Sequence, residues 1–573
     1  MGYLESYKEW CDSPYFDAAT KQELAEIAGD DNEIKDRFYR SLSFGTGGLR
    51  GIIGAGTNRM NAYTVRKATQ GLANFILKEH GEDKGVAIAY DSRRMSIEFS
   101  EEAALCLCAN GIKAYRFESL RPTPELSFAL RELNCIAGIV VTASHNPAEY
   151  NGYKVYWEDG AQVTAPKDEQ IIAEVNAIEG FDTVKTMSRE EAIEKGLYHV
   201  IGKEIDDLYM EALKKQVVYP QMIKEHADEI NIVYTPLHGT GNMPVRRVLK
   251  ELGFNNVFVV EEQETPDGNF PTVSYPNPED AKAFALALKL AREKKADIVM
   301  ATDPDADRLG IYVYDKKSDD YIAFTGNMTG MLICEYLLSQ KKELGTLAKD
   351  GALIKTIVST NMADKIAEYY GVRLIECLTG FKYIGEQIKL FEQKGEGTYE
   401  FGFEESYGCL VGTHARDKDA IVAVMCLAEA AVYYHTKGMS LWDQMNAIYE
   451  KYGYFREGIE TMTFKGFEGV EKIKGIMQSF RENPIEKLGD YKVLEVRDYE
   501  LDTVKRDGKV VGTTGLPKSD VLYFEMDNDA WLCVRPSGTE PKIKFYAGVK
   551  GTSFEDADAK MTKLKSELTA LVK

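Results

Sequence analysis

Paired cysteines are what this sequence most plainly lacks. Nine cysteines are scattered through 573 residues, Cys106 and Cys108 one residue apart and the others distant, with no CxxC. An odd count without paired spacing argues against a disulfide framework and fits a reduced, intracellular compartment. No apolar run approaches the roughly 18 residues that a spanning helix needs, so no membrane-embedded role is expected. The first residues, Met1 to Ser6, carry an acid at Glu5 and no apolar core, which reads as no secretion signal. Basic charge is also in deficit: 70 Lys+Arg stand against 91 Asp+Glu, a net −21. A field of that sign repels phosphate backbones and anionic bilayers, so neither nucleic acid nor a membrane surface is an expected partner. An anionic substrate would require basic residues gathered locally against the global field.

What is present is ordinary globular composition, 44% hydrophobic and 28% charged. At roughly 150 residues per domain the chain holds about four domains. Its recurrent unit is a short β-branched apolar run, a polar or Gly-rich loop, then a helical pattern. Such runs lie at 85–90, 135–141, 231–234, 296–301 and 352–358. Apolar runs alternating with helices predict parallel or mixed sheets in α/β domains, with ligands bound past the carboxyl ends of the strands. The stretch 491–549 is strand-rich and precedes one helix at 553–572, which predicts an α+β domain at the end of the chain. The division expected is 1–206, 207–321, 322–452 and 453–573.

Four segments carry chemistry. Thr142-Ala143-Ser144-His145-Asn146-Pro147 follows a strand and turns sharply, which suits a serine nucleophile at a strand end. Alone, a Ser-His pair is as well read as a side-chain turn or helix cap. There is no GxSxG elbow, and an adjacent histidine is not expected to reach back to its own serine, so a hydrolase triad is disfavoured. Asp303-Pro304-Asp305-Ala306-Asp307-Arg308 places three carboxylates at alternating positions, able to converge on a hard divalent cation. An EF-hand starting at Asp303 would need Gly and Glu where Arg308 and Tyr314 stand. A Mg2+ site open to a phosphate oxygen fits better than a solvated acidic turn.

The third segment, Arg535-Pro536-Ser537-Gly538-Thr539-Glu540-Pro541-Lys542, combines a guanidinium fork, two hydroxyls and a glycine, a plausible dianion clamp or a plain β-turn. The fourth, Phe403 to Gly408 followed by His414-Ala415-Arg416-Asp417-Lys418-Asp419, offers adjacent carboxylates and a hydroxyl suited to sugar hydroxyls. The Gly-rich 44–51 segment breaks the dinucleotide fingerprint because Arg50 stands where its third Gly belongs.

In this order FGTGGLRG, TASHNP, TPLHGTG, PDGNFPTV, DPDADR, TGFKYIG, FEESYG, HARDKD and RPSGTEPKIK resemble the α-D-phosphohexomutase family over nearly the whole chain. The resemblance implies three related α/β domains and a fourth of different fold around a central cleft. It implies a cytoplasmic phosphosugar mutase, monomer or homodimer, interconverting glucose 1-phosphate and glucose 6-phosphate. Mg2+ and glucose 1,6-bisphosphate would be its cofactor and its activating intermediate. By the same likeness Ser144 carries the transferable phosphate, with Asp303, Asp305 and Asp307 holding Mg2+ against it. Arg50, His145, Lys154 and Lys418 position phosphate or move protons, Lys418 being preferred as base. Thr379, Gly380, Lys382, Glu404, Ser406 and Arg308 contact substrate, and Arg535, Ser537, Gly538 and Thr539 bind the distal phosphate. Phe403 stands where many relatives carry Gly, and Gly408 follows Tyr407 where some branches carry His. Those departures leave a pentose or mannose phosphate as the alternative substrate. A sugar phosphatase and a non-catalytic phosphosugar-binding protein are the rival classes.

Overall fold

A computed structural model of the chain describes residues 2–42, 48–464, 466–536 and 542–572. The chain forms two compact units, one of Met1–Gly326, Phe381–Gly395 and Ser406–Ser440, the other of Asn327–Gly380, Glu396–Glu405 and Leu441–Lys573.

The first unit begins with helices Tyr3–Asp12, Ala18–Glu26 and Asp31–Phe38, which share a core of Trp10, Phe16, Leu24, Ile34 and Phe38. Asp17 and Asp30 start the second and third of these by accepting hydrogen bonds from first-turn amides. A six-stranded sheet follows, in the order Gly48–Ile52, Tyr150–Trp157, Ala137–Val141, Val86–Tyr90, Ala114–Phe117, Tyr198–Ile201. The last four are parallel and the first two join antiparallel. Ala137–Val141 and Val86–Tyr90 are buried at every residue, which is why their sequences run apolar without alternation. Helix Ala62–Lys78, capped by Asn61 with Thr64 in return, covers this sheet with a face that includes Val65, Leu72 and Ile76.

A second sheet of the same unit runs Asp320–Phe324, Leu309–Asp315, Ile298–Thr302, Ile232–Thr235, Val257–Val259. Its last three strands are parallel, and the first two fold back antiparallel. Both sheets are therefore mixed, and in each a strand returns antiparallel one place in from the edge. That return follows directly on one of the two loops, 142–149 and 303–308, that hold the candidate residues.

In the second unit, strand Gly351–Thr356 lies parallel between Arg373–Cys377 and Thr398–Glu404. An antiparallel sheet then runs Tyr454–Thr463, Lys542–Gly551, Trp531–Pro536, Leu522–Met526, Tyr491–Asp498, Thr503–Arg506, Lys509–Gly512. Helices Gly466–Glu482 and Phe554–Val572 bury Met477, Phe480, Leu564 and Leu568 against its Phe524, Val534 and Phe545. The α+β expectation for the end of the chain holds, as do the α/β sheets before it. Among the described residues no helix is long and apolar enough to cross a membrane.

Candidate active site

Two loops of the first unit hold the candidate residues, each at the carboxyl end of a buried parallel strand, where open α/β sheets place their ligands. Residues 142–149 leave strand Ala137–Val141 and return as Tyr150–Trp157. Residues 303–308 leave strand Ile298–Thr302 and return as Leu309–Asp315. The loops meet where Ser144 Oγ donates to Asp303 Oδ2 at 2.7 Å.

The three aspartates converge. One oxygen from each of Asp303, Asp305 and Asp307 falls within 4.8 Å of the others, and the residues are 0, 0 and 3% exposed. Asp303 Oδ1 accepts from the amides of Asp307 and Arg308, both at 3.1 Å. Asp305 Oδ2 accepts from Thr123 Oγ1 and from Lys154 Nζ, both at 2.8 Å. Asp305 Oδ1 and Asp307 Oδ1 are buried and make no hydrogen bond to a described residue. Buried carboxylate oxygens left in that state suit a hard cation, so the residues present can hold a metal ion. Burial, and then the crowding of Asp305 and Asp307, pushes the Asp303 carboxyl far above its usual range. Burial presses on Asp305 as well, but the Lys154 ammonium and its hydrogen bonds outweigh it and hold that group low. Lys154 is opposed by burial yet raised by Asp305 and Asp307, so it stays charged.

The motif TPLHGTG braces the aspartate loop. Thr240 donates to Pro304 O through its amide at 2.8 Å and its hydroxyl at 2.9 Å. A Cβ on Gly239 would lie 2.4 Å from Pro304 Cα, so only glycine admits this approach. From HARDKD, Lys418 Nζ stands 3.2 Å from Asp307 Oδ2 and 3.0 Å from Asp417 Oδ1. Tyr156 donates to the other Asp417 oxygen at 2.6 Å. Asp419 accepts from Tyr209 at 2.8 Å, contacts His414 Nε2 at 2.7 Å and caps helix Ala420–Thr436. Lys154 and Lys418 thus flank Asp307 from a strand and from a braced loop.

His145 corrects the sequence reading. Its Nδ1 lies 3.2 Å from Ser144 Oγ, so the ring does reach its own neighbour. It can do so because Ser144 has φ +50°, which turns consecutive side chains toward each other. Burial, and then Arg308 and Arg50, hold His145 well below the usual histidine range. A neutral ring beside a hydroxyl that already donates to Asp303 is a donor to Ser144 Oγ rather than its base. Arg50 is exposed on strand Gly48–Ile52 and reaches Asn146 Oδ1 at 3.4 Å. Arg308 pairs with Glu279 beside the triad.

Ser406 belongs to the first unit, on the turn before strand Gly408–Leu410, where Tyr407 takes φ +65°. Lys382, in the same unit, instead lines a cavity of about 120 Å3 with Trp157, Lys167, Glu386 and Lys389. None of Ser144, Lys154 or the triad lines that cavity. In the second unit Glu404 is buried, and its Oε1 accepts from the Gly380 amide at 2.9 Å, which joins the Thr379-Gly380 and FEES segments. Arg535 lies on strand Trp531–Pro536, paired in register with Lys544. Ser537, Gly538 and Thr539 fall outside the described residues, as does the 44–47 part of the Gly-rich opening. Sequence reading missed Asp91, Arg93, Thr123 and Tyr156, all of them buried. Their only signal was position: Asp91 and Arg93 stand in the turn after a strand, Tyr156 on a return strand and Thr123 at the start of helix Thr123–Glu132.

A buried serine set on a carboxylate triad, with two lysines beside it, has the groups that phosphoryl transfer by positioning and charge neutralisation calls for. Models of phosphoglucomutase/phosphomannomutase α/β/α domains I, II and III match residues 41–181, 207–316 and 325–452. A Staphylococcus saprophyticus phosphoglucomutase is 36% identical over 557 residues, 97% of this chain and 97% of its own. The chain therefore belongs to the phosphoglucomutase/phosphomannomutase family: it is a phosphohexomutase, an isomerase. The Paramecium phosphoglucomutase pp63/parafusin in its open form superposes with a TM-score of 0.68 at 18% identity, covering 93% of this chain and 96% of that one. A Burkholderia thailandensis family protein gives 0.64 at 18% identity, covering 92% and 97%. At that identity the two structures speak for the fold alone.

Proposed function

We propose that the protein interconverts glucose 1-phosphate and glucose 6-phosphate, with Ser144 as the carrier of the transferable phosphate. The observation that carries this is Ser144 Oγ seated on Asp303 at the head of a buried triad. The sugar is taken from the full-length likeness to staphylococcal phosphoglucomutase. Asp303, Asp305 and Asp307, with the phosphate on Ser144, would hold Mg2+. Bound there, the ion would neutralise phosphoryl charge as it develops on transfer.

A sugar hydroxyl oxygen attacks phosphorus, the bond to Ser144 Oγ breaks, and a base takes the hydroxyl proton. Lys154 is a poor base because Asp305 and Asp307 keep it protonated. Lys418 is likewise set against two carboxylates, Asp307 and Asp417, so its assignment as base rests on the family resemblance and not on its surroundings. The product, glucose 1,6-bisphosphate, turns over and returns its second phosphate to Ser144, with Arg535, Ser537, Gly538 and Thr539 receiving whichever phosphate is distal. Arg50, Arg308 and neutral His145 would line the transferred phosphate, and Thr379, Gly380, Glu404 and Ser406 the sugar hydroxyls. Lys382 is the weakest of the assigned contacts, because its side chain faces a separate cavity. The four-domain division at 206, 321 and 452, a cytoplasmic setting and a monomeric or dimeric state complete the reading.

The test is kcat/KM for glucose, mannose, glucosamine, ribose and deoxyribose 1-phosphates, with Mg2+ and a trace of the matching bisphosphate. Glucose 1-phosphate should lead by about tenfold or more, the low end of what a shaped pocket discriminates. Preference for a pentose would overturn the glucose assignment, and steady release of inorganic phosphate would overturn the mutase chemistry.

A further inference from the structure

The backbone of Ser144 lies at φ +50°, in the left-handed region that is disfavoured for a residue with a side chain. Such a conformation persists only where its surroundings dictate it. Every hydrogen-bonding atom of Ser144 is engaged. Its amide donates to Thr142 Oγ1 at 2.8 Å, its hydroxyl donates to Asp303, and its carbonyl accepts from Arg93 Nε at 3.2 Å and Nη2 at 2.5 Å.

Arg93 does more than hold one carbonyl. It stands in the turn after strand Val86–Tyr90 with its side chain 0% exposed. Its remaining N–H groups donate to Asn146 O, to Pro147 O at 2.8 Å and to Tyr150 O at 3.0 Å. One planar fork thus gathers four carbonyls spread over residues 144–150, a task an ammonium cannot copy. Its charge is met by Asp91, 3.5 Å away. Asp91 in turn accepts from Thr142 Oγ1 at 2.6 Å, closing a ring back to the Ser144 amide.

The open face of the guanidinium is covered from the other sheet's domain. The Phe270 ring centroid lies 5.0 Å from Arg93 Cζ, within cation–π range, and Phe270 is 1% exposed at φ +48°. Two residues earlier, Gly268 presses on the Arg93 turn so closely that a Cβ would fall 2.4 Å from Arg94 N. The PDGNFPTV segment, which the reaction leaves without a role, is therefore a cap over Arg93.

We propose that Arg93, sealed by Phe270, is a positioning residue for phosphoryl transfer that fixes residues 144–150 so that Ser144 Oγ stays on the aspartate triad. The inference rests on the reading of Ser144 as phosphate carrier. Neither side chain touches the reacting atoms. The test uses the full chain as Phe270→Leu and Arg93→Lys, with single-turnover labelling of Ser144 by glucose 1,6-bisphosphate carrying radioactive phosphate. In the variants the labelling rate constant and kcat should fall by about tenfold or more, the scale of loss for a misplacement of order 1 Å. The labelled fraction should stay near that of the unaltered protein and KM within about twofold, since sugar contacts are untouched. Phe270→Leu keeps the question open to test where Arg93→Lys does not fold. An unchanged rate constant in a folded variant overturns the proposal. So does a reduced labelled fraction at unchanged rate, which is what a purely structural role produces. Failure of the unaltered protein to take label on Ser144 overturns the carrier reading instead, and with it the role given to Arg93.

Discussion

At the residue scale the triad and its lysines form one electrostatic unit. Asp305 Oδ1 and Asp307 Oδ1 are buried without a described hydrogen-bond partner, while Lys154 and Lys418 occupy the opposite oxygens. Asp305→Asn should therefore lower kcat by about 10²–10³, the usual scale for losing one stabilising group. The same change should move the Mg2+ midpoint of activity upward, read by titrating chelator-treated protein. An unmoved midpoint would separate Asp305 from the metal. Glu125 offers a different reading. It is 1% exposed, and burial, followed by Asp206, pushes its carboxyl well above the usual range despite Arg121. A folded-state value above the unfolded one means that the folded chain keeps a proton the unfolded chain has released. Its stabilising share is full below the unfolded value and is lost as pH rises through the folded one. Glu125→Gln removes that loss. Relative to the unaltered protein, its Tm should gain on the order of 2–4 °C at about pH 8.5 and nothing at about pH 5. A gain independent of pH would refute the assignment.

At the element scale the strand ends decide everything, and most of them were legible. The runs ending at Tyr90, Val141, Tyr234 and Ala301 read as buried strands because parallel strands covered on both faces carry no polar alternation. The structure ends those strands at Tyr90, Val141, Thr235 and Thr302. Mixed sheets were expected beside parallel ones, but which strand turns back was not visible, because an antiparallel return such as Tyr150–Trp157 has the same composition as a parallel strand. Nor was the bracing between loops, which depends on contacts remote in sequence, such as Thr240 with Pro304 or Phe270 with Arg93. His145 was misjudged for a related reason: extended geometry keeps neighbouring side chains apart, and nothing local announces that Ser144 is left-handed. Lys382 sits in a recognised motif, yet its direction is set by helix Phe381–Lys394 and not by the motif. Gly239 is one of the two tightest points in these braces. Gly239→Ala puts a methyl against Pro304 backbone and should cost about 1–3 kcal/mol, as overpacking does. Urea denaturation reads that loss, and an activity loss larger than the fraction unfolded would place the strain on the aspartate loop itself.

At the scale of the whole molecule, an acidic chain handles an anionic substrate by local concentration of its cations. The net charge is −21, yet Arg50, Arg93, Lys154, Arg308 and Lys418 all lie in or beside the two loops of one unit. The family membership follows from the whole chain, and the central claim proposed on it is that Ser144 carries the phosphate. That claim is tested most directly by Ser144→Ala, assayed for conversion of glucose 1-phosphate to glucose 6-phosphate and for sugar-phosphate binding by calorimetry. The account predicts loss of turnover to background with binding retained. Turnover that survives the substitution would contradict it.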